Sequence, residues 1–202
     1  MTFAFNAQFR PKTPWFGGDL QTMSAVFSPP RVDLSDTLIE DLHMSTDDGT
    51  ADVLTGQRVT GQGDKGPVKA LSVVLLHGLM GDFDRGYMRL LTRHFVDQGY
   101  PVVRMNLRGA GSSRPLCTGN YHAGFTQDLS LMARRLAARP DTGKLAWIGI
   151  SLSGNMLLKA ASEAHFLEAA DHSKLVSISA PFDLVATAKR FARPRNVLYS
   201  RY

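Results

Sequence analysis

The stretch Trp147-Ile148-Gly149-Ile150-Ser151-Leu152-Ser153-Gly154-Asn155 places a serine where an apolar run ends and a helix-forming run begins. Leu145 to Ile150 reads as a strand and residues 153–169 as a helix. A serine on so sharp a strand-to-helix bend holds its hydroxyl out from the sheet, and the bend closes only if the residues two before and two after it are small. Gly149 meets that demand. At the second position stands Ser153, one hydroxymethyl group larger than glycine, with Gly154 following. A plainer reading has Ser151 capping the helix. Ser153 is a second candidate nucleophile, but in the first helical turn its hydroxyl is better placed to bond backbone. A serine between a buried strand and a helix fits the nucleophile role, so Ser151 is taken as the attacking group.

Working outward, Leu71 to Leu76 is a continuous β-branched and leucine run, suited to a strand covered on both faces. Tyr87 to Gln98 is amphipathic and stops at Gly99. Pro101 to Asn106 is a further buried strand, Thr126 to Ala138 a helix with Leu129, Met132, Ala133 and Leu136 inward, and Lys174 to Ser179 a sixth strand before a helix from Asp183 to Phe191. Thr37 to Ser45 and Ala51 to Arg58 read as two strands around Asp47-Asp48-Gly49, and residues 61–69 as a polar, glycine-rich loop. The alternation predicts an α/β chain: a mostly parallel sheet flanked by helices, with ligands gathering at the carboxyl ends of the strands. Residues 1–36 read as an N-terminal arm packed on the domain, and 37–202 as the core carrying strands one to six.

The loops after the strands carry the chemistry. After the Leu71–Leu76 strand comes His77-Gly78-Leu79-Met80-Gly81. Acyl transfer needs backbone N–H groups aimed at the developing oxyanion, and loss of one costs about 3–4 kcal/mol of transition-state stabilisation. In the α/β-hydrolases, which this strand-bend-helix arrangement resembles, one donor is the residue after the nucleophile, here Leu152, and the other lies in the loop after this strand, with Leu79 the first candidate and Met80 the second. His77, Gly78, Met80, Gly149, Ser153 and His122 are expected to line the site. His77 is read as a structural histidine whose backbone, not its imidazole, is useful. Asn106-Leu107-Arg108-Gly109-Ala110-Gly111 superficially suggests a dinucleotide loop, but no G-x-G-x-x-G opens a helix. It is a tight structural loop, with Arg108 a candidate partner for a carboxylate such as Asp128. No cofactor and no metal is implied.

Composition sets the outer bounds. With 44% hydrophobic and 20% charged residues, the chain is that of a globular domain. Its longest apolar run falls far short of the roughly 20 residues that cross a bilayer, and no signal-peptide pattern opens it. A lone cysteine, Cys117, fits a reducing compartment, so the expected location is cytoplasmic. The net charge of +5 comes largely from Lys189, Arg190, Arg193, Arg195 and Arg201. Without a nucleic-acid-binding motif these read as a solvated face, and no nucleic-acid partner is expected.

Pro14-Trp15-Phe16-Gly17-Gly18-Asp19-Leu20-Gln21-Thr22-Met23 resembles the N-terminal signature of the YheT-type α/β-hydrolases, whose relatives include ABHD-type lipid esterases. Leu76-His77-Gly78-Leu79, Asn106-Leu107-Arg108-Gly109, Tyr121-His122-Ala123-Gly124, Gly149-Ile150-Ser151-Leu152 and Ala180-Pro181-Phe182-Asp183-Leu184 are similar to later landmarks of that family, in the family's order; Ser153 stands where the family has glycine. The resemblance implies an α/β-hydrolase fold and a serine hydrolase acting on a small acyl ester, with contact to a lipid or membrane surface left open. It also implies an aspartate after a seventh strand and a histidine after an eighth. This chain reaches neither, so it is expected to be incomplete at its C-terminal end and weak or inactive alone. Within it, only His122 offers itself as a substitute base, with Asp183 as acid. A rival reading is a non-catalytic remnant or interaction module, whose sixth strand would be an exposed edge open to self-association.

Overall fold

The Leu71–Leu76 run forms a strand at the heart of the sheet, apolar because both faces are covered, except at Ser72, whose buried hydroxyl donates to the Thr142 carbonyl at 2.6 Å. The computed structural model describes residues 10–11, 13–62 and 70–196. The expected loop over 61–69 and both chain ends fall largely outside the described residues. Helix α1 (Gly17–Phe27) precedes an antiparallel pair, β1 (Thr37–Ser45) and β2 (Val53–Gly61). Then follow β3 (Leu71–Leu76), α2 (Gly86–Asp97), β4 (Val102–Met105), a 3₁₀ turn (Gly111–Leu116), α3 (Gln127–Ala137), β5 (Lys144–Ile150), α4 (Leu152–Ala160), α5 (Ala164–Leu167), β6 (His172–Ile178) and α6 (Leu184–Phe191). Strand order is β1-β2-β4-β3-β5-β6. From β4 to β6 every pairing is parallel; β1 and β2 join antiparallel.

Two apolar clusters sandwich this sheet. On one face Val74, Leu76, Met105 and Trp147 pack with Leu129 and Met132 of α3 and Met156 and Leu157 of α4. On the other, Val59, Val73, Leu75 and Val102 pack with Met88 and Val96 of α2. Each fully buried side chain of this kind contributes about 1.5–3 kcal/mol, and together they fix the carboxyl ends of β3, β4 and β5 in one row.

The helix expected over 153–169 is interrupted. The Ser162 hydroxyl donates to the Lys159 carbonyl at 2.7 Å, and Glu163 is extended; a serine competing for a helix carbonyl offers the chain an alternative to continuing. Helix α1 lies in a segment whose periodicity is too weak to announce it. At the other end of the sheet, β6 is an edge strand with Val176 and Ile178 exposed, and α6 buries none of its described side chains. No helix among the described residues is long and apolar enough to cross a membrane.

Candidate active site

Strand β5 ends in a bend at Ser151, whose backbone sits at φ 55° and ψ −117°, a conformation costing a non-glycine residue on the order of 1–3 kcal/mol. Its surroundings hold it there. The Ser151 N–H donates to the Ile178 carbonyl of β6 at 2.8 Å, and the Ser151 carbonyl accepts from the Asn155 N–H at 3.2 Å. The Asn155 side chain donates to the Pro181 carbonyl at 3.0 Å. Gly149 is needed because a Cβ there would lie 2.5 Å from the Ser153 carbonyl oxygen and 2.7 Å from the Leu157 side chain. The Ser151 side chain does not cap α4, and among the described residues its hydroxyl makes no hydrogen bond. It is half-buried.

Ser153, fully buried, donates its hydroxyl to the His77 carbonyl. The residue that departs from glycine thus ties the first turn of α4 to the end of β3. His77 is equally spent: Nδ1–H donates to the Gly78 carbonyl at 2.7 Å, and Nε2 accepts from the Leu107 N–H at 3.1 Å. Burial pushes the imidazole below its ordinary pKa, toward the neutral form. With both ring nitrogens engaged, it cannot serve as base to Ser151.

Gly78 brings the loop after β3 against the bend, since a Cβ on Gly78 would stand 3.1 Å from the Ser151 Cβ. Two tyrosines brace the loop. The Tyr87 hydroxyl accepts from the Gly78 N–H at 3.1 Å, and the Tyr121 hydroxyl accepts from the Met80 N–H at 2.9 Å. Met80, at φ 58°, has therefore committed the amide that made it the second oxyanion candidate. Among the described residues the Leu79 N–H has no partner. The Leu152 N–H, at the first position of α4, has none within the helix. A hydroxyl without a partner among the described residues, the amide of the residue after it, and a free amide one residue beyond the Gly78 that touches it are groups an acyl-transfer centre can use.

The remaining predicted residues lie elsewhere. His122 is exposed, its Nδ1 accepts from the Gly124 N–H at 3.2 Å, and its ring lies 5.5 Å from that of Phe125. Asp183 caps α6, accepting from the Ala186 N–H at 2.8 Å. Among the described residues no histidine is hydrogen-bonded to Ser151. Arg108 does pair with Asp128, through Nε at 3.0 Å and Nη2 at 2.6 Å, and also with Asp52 at 2.9 Å and Asp48 at 2.9 Å. Sequence reasoning missed Tyr87 as a brace and treated Tyr121 only as part of a landmark. A tyrosine's partner across 41 residues leaves no periodic trace.

A family model described as alpha/beta hydrolase fold matches residues 72–200. Among curated proteins, the chain is 30% identical over 125 residues to the embryogenesis-associated protein EMB8 of Picea glauca, covering 62% of this chain and 27% of that protein. It is 31% identical over 131 residues to YheT of Escherichia coli (strain K12), whose name assigns it provisionally to the esterases, covering 64% of this chain and 38% of YheT. The matched part of the chain spans roughly a third of these relatives. The solved esterase of Pyrococcus furiosus superposes with a TM-score of 0.61 at 22% identity, covering 85% of this chain and 64% of that one. A Xanthomonas campestris protein described as an a/b serine hydrolase without lid gives 0.52 at 21%, covering 65% and 58%. Both structural likenesses concern the fold.

Proposed function

Because the chain belongs to the alpha/beta hydrolase fold family and is similar within it to YheT, we propose that it carries the nucleophile and oxyanion-binding half of a serine ester hydrolase. The observation that carries the proposal is the bend at Ser151: a strained residue whose hydroxyl has no hydrogen bond among the described residues, next to Leu152 and touched by the Gly78 loop that carries Leu79. Ser151 Oγ attacks the ester carbonyl while a general base takes its proton, a role that no histidine among the described residues is placed to fill, and the two amides hold the tetrahedral oxyanion. The base returns that proton to the departing alcohol, then takes one from the water that attacks the acyl-serine, releasing the acid and restoring the hydroxyl. His77 supports the centre through its carbonyl, which holds Ser153. The substrate is an acyl ester, of a lipid or a short-to-medium chain. Residues 1–36 act as an arm on the 37–202 core, a reading supported by buried Leu34 and by Arg89 donating to the Val32 carbonyl at 2.9 Å. The setting is cytoplasmic, in keeping with a lone cysteine.

The test is covalent labelling with a fluorophosphonate probe, with p-nitrophenyl ester turnover measured in parallel. Weak, slow labelling is expected in the wild-type chain, since among the described residues no histidine is hydrogen-bonded to Ser151, and it is expected to fall to background in Ser151→Ala. Labelling that survives the substitution removes the assignment.

A second reading rests on β6. Its unpaired edge, with Val176 and Ile178 exposed beside an α6 that buries no described side chain, is a template for strand addition, including by a second copy. This module reading predicts concentration-dependent association, detectable by sedimentation, without labelling of Ser151.

A further inference from the structure

Away from Ser151, between the α2 face of the sheet and the loop joining β3 to α2, lies a cavity of about 1080 Å³, ample for a small organic ligand. Its apolar walls are Pro29, Pro30, Ile39, Phe83 and Tyr87. Arg104, from the middle of β4, also lines it. This arginine replaces an apolar residue in a strand otherwise reading Val-Val-Met and is only 1% exposed. Burying a guanidinium costs several kcal/mol unless anions and acceptors compensate it.

The compensation is incomplete. Arg104 Nη2 donates to Gln57 Oε1 at 2.5 Å, and Nη1 reaches the Phe83 carbonyl at 3.4 Å. Nε is buried and has no hydrogen-bond partner. The anion it does have is shared: Asp84 Oδ1 stands 3.1 Å from Arg104 Nη1 and 2.9 Å from Arg89 Nη1. Asp84 belongs to the loop, and its side chain is 54% exposed. Asp82, the other carboxylate lining the cavity, pairs with Arg85 at 3.4 Å. Three arginines against two aspartates leave the lining one positive charge in excess.

We propose that this cavity binds an amphipathic monocarboxylate: a carboxylate on Arg104 and Arg89, and an apolar body against Ile39, Phe83 and the two prolines. Asp84 occupies the place of that carboxylate when the site is empty and swings outward when it fills. Arginine suits the head group because its guanidinium N–H groups pair with a carboxylate, here through the Arg104 Nη1 and Arg89 Nη1 that Asp84 shares and would vacate. The site is separate from the bend at Ser151. Tyr87 stands between them, lining the cavity while its hydroxyl accepts from Gly78. The inference therefore does not depend on ester hydrolysis.

The experiment is calorimetric titration of the full chain with octanoate, octan-1-ol and acetate. Octanoate is expected to bind at least about tenfold more tightly than either control, since the alcohol lacks the charge-assisted pairing and acetate lacks the body. Asp84→Asn removes the internal competitor and is expected to tighten octanoate severalfold without changing octan-1-ol. Ile39→Glu, on a half-exposed position that tolerates charge, is expected to weaken octanoate. Ser151→Ala is expected to leave all three unchanged. The proposal is overturned if octanoate and octan-1-ol bind alike, if Asp84→Asn fails to separate them further, or if octanoate shows no binding up to about 5 mM.

Discussion

The loops that leave β3 and β4 start from neighbouring strand ends and both open with a polar residue near a glycine, yet they spend their polar groups in opposite ways. After β4, Arg108 closes a knot: its guanidinium bonds Asp128 twice and also meets Asp52, Asp48 and the Thr50 hydroxyl. The anion side is as fully engaged, since Asp52 also accepts from the Thr118 and Gly119 amides. Those amide bonds, the Thr118 one foremost, hold the Asp52 carboxyl below its usual range. After β3, by contrast, His77 and Ser153 are committed inward, while among the described residues the Leu79 amide and the Ser151 hydroxyl have no partner. What sets the two loops apart is not residue type but whether each group's hydrogen bonds are already taken.

The most forceful way to break that contrast is to cut the knot. Arg108→Ala leaves the buried carboxylates of Asp52 and Asp128 without their cation, and loss of one partner from a buried pair typically costs about 3–5 kcal/mol. Urea denaturation should show the unfolding free energy lowered by that amount. A shift within about 0.5 kcal/mol of zero would mean that the loop after β4 is not a structural clamp.

A smaller effect is expected at Ser153. Ser153→Ala removes a fully buried hydroxyl and orphans the His77 carbonyl, which should lower stability by about 1–3 kcal/mol. Ser153→Gly adds backbone freedom to the same loss. If Ser153→Gly proves as stable as wild type, the hydroxyl bond to His77 contributes nothing, and the departure from glycine is merely tolerated. Thermal melts of the two variants side by side settle the point.

Where the chain could be read directly, local pattern and packing agree. The apolar runs of β3, β4 and β5 announce a doubly covered sheet, and Gly149 before Ser151 announces the bend, because close approach of strand and helix excludes a Cβ. The roles of His77 and Ser153 could also be argued from position alone. What was not legible depends on contacts distant in the chain. Arg104 looks like a misplaced charge until β2 brings Gln57 beside it and the loop after β3 brings Asp84. The weakly patterned residues 17–27 form a helix that no stripe predicted, and Ser162 ends α4 where the apolar stripe runs on. The Arg108–Asp128 pair could be suggested, but its extension to Asp48 and Asp52 depends on the β1–β2 hairpin lying close to the loop after β4.

The finest way to sharpen the comparison lies in Tyr121, whose hydroxyl braces the loop after β3 and can be removed without touching Ser151. Tyr121→Phe keeps the ring, which lies edge-on to His77 at 6.1 Å between centroids, and deletes only the acceptor for the Met80 amide. Met80 is exposed, so water can replace that acceptor, and the loss in global stability should stay below about 1 kcal/mol. The loop itself should loosen, because a residue held at φ 58° has lost the bond that fixed it. Hydrogen exchange at the Met80 amide should accelerate about tenfold, while amides of β3 keep their protection. If Ser151 is the nucleophile, its labelling should slow by a comparable factor, since the neighbouring Leu79 amide would no longer be held in one orientation. Unchanged exchange at Met80 would mean that the loop is fixed by its other contacts, among them Tyr87 on the Gly78 amide and Arg85 on the Met80 carbonyl, and that Tyr121 plays no part in aiming it.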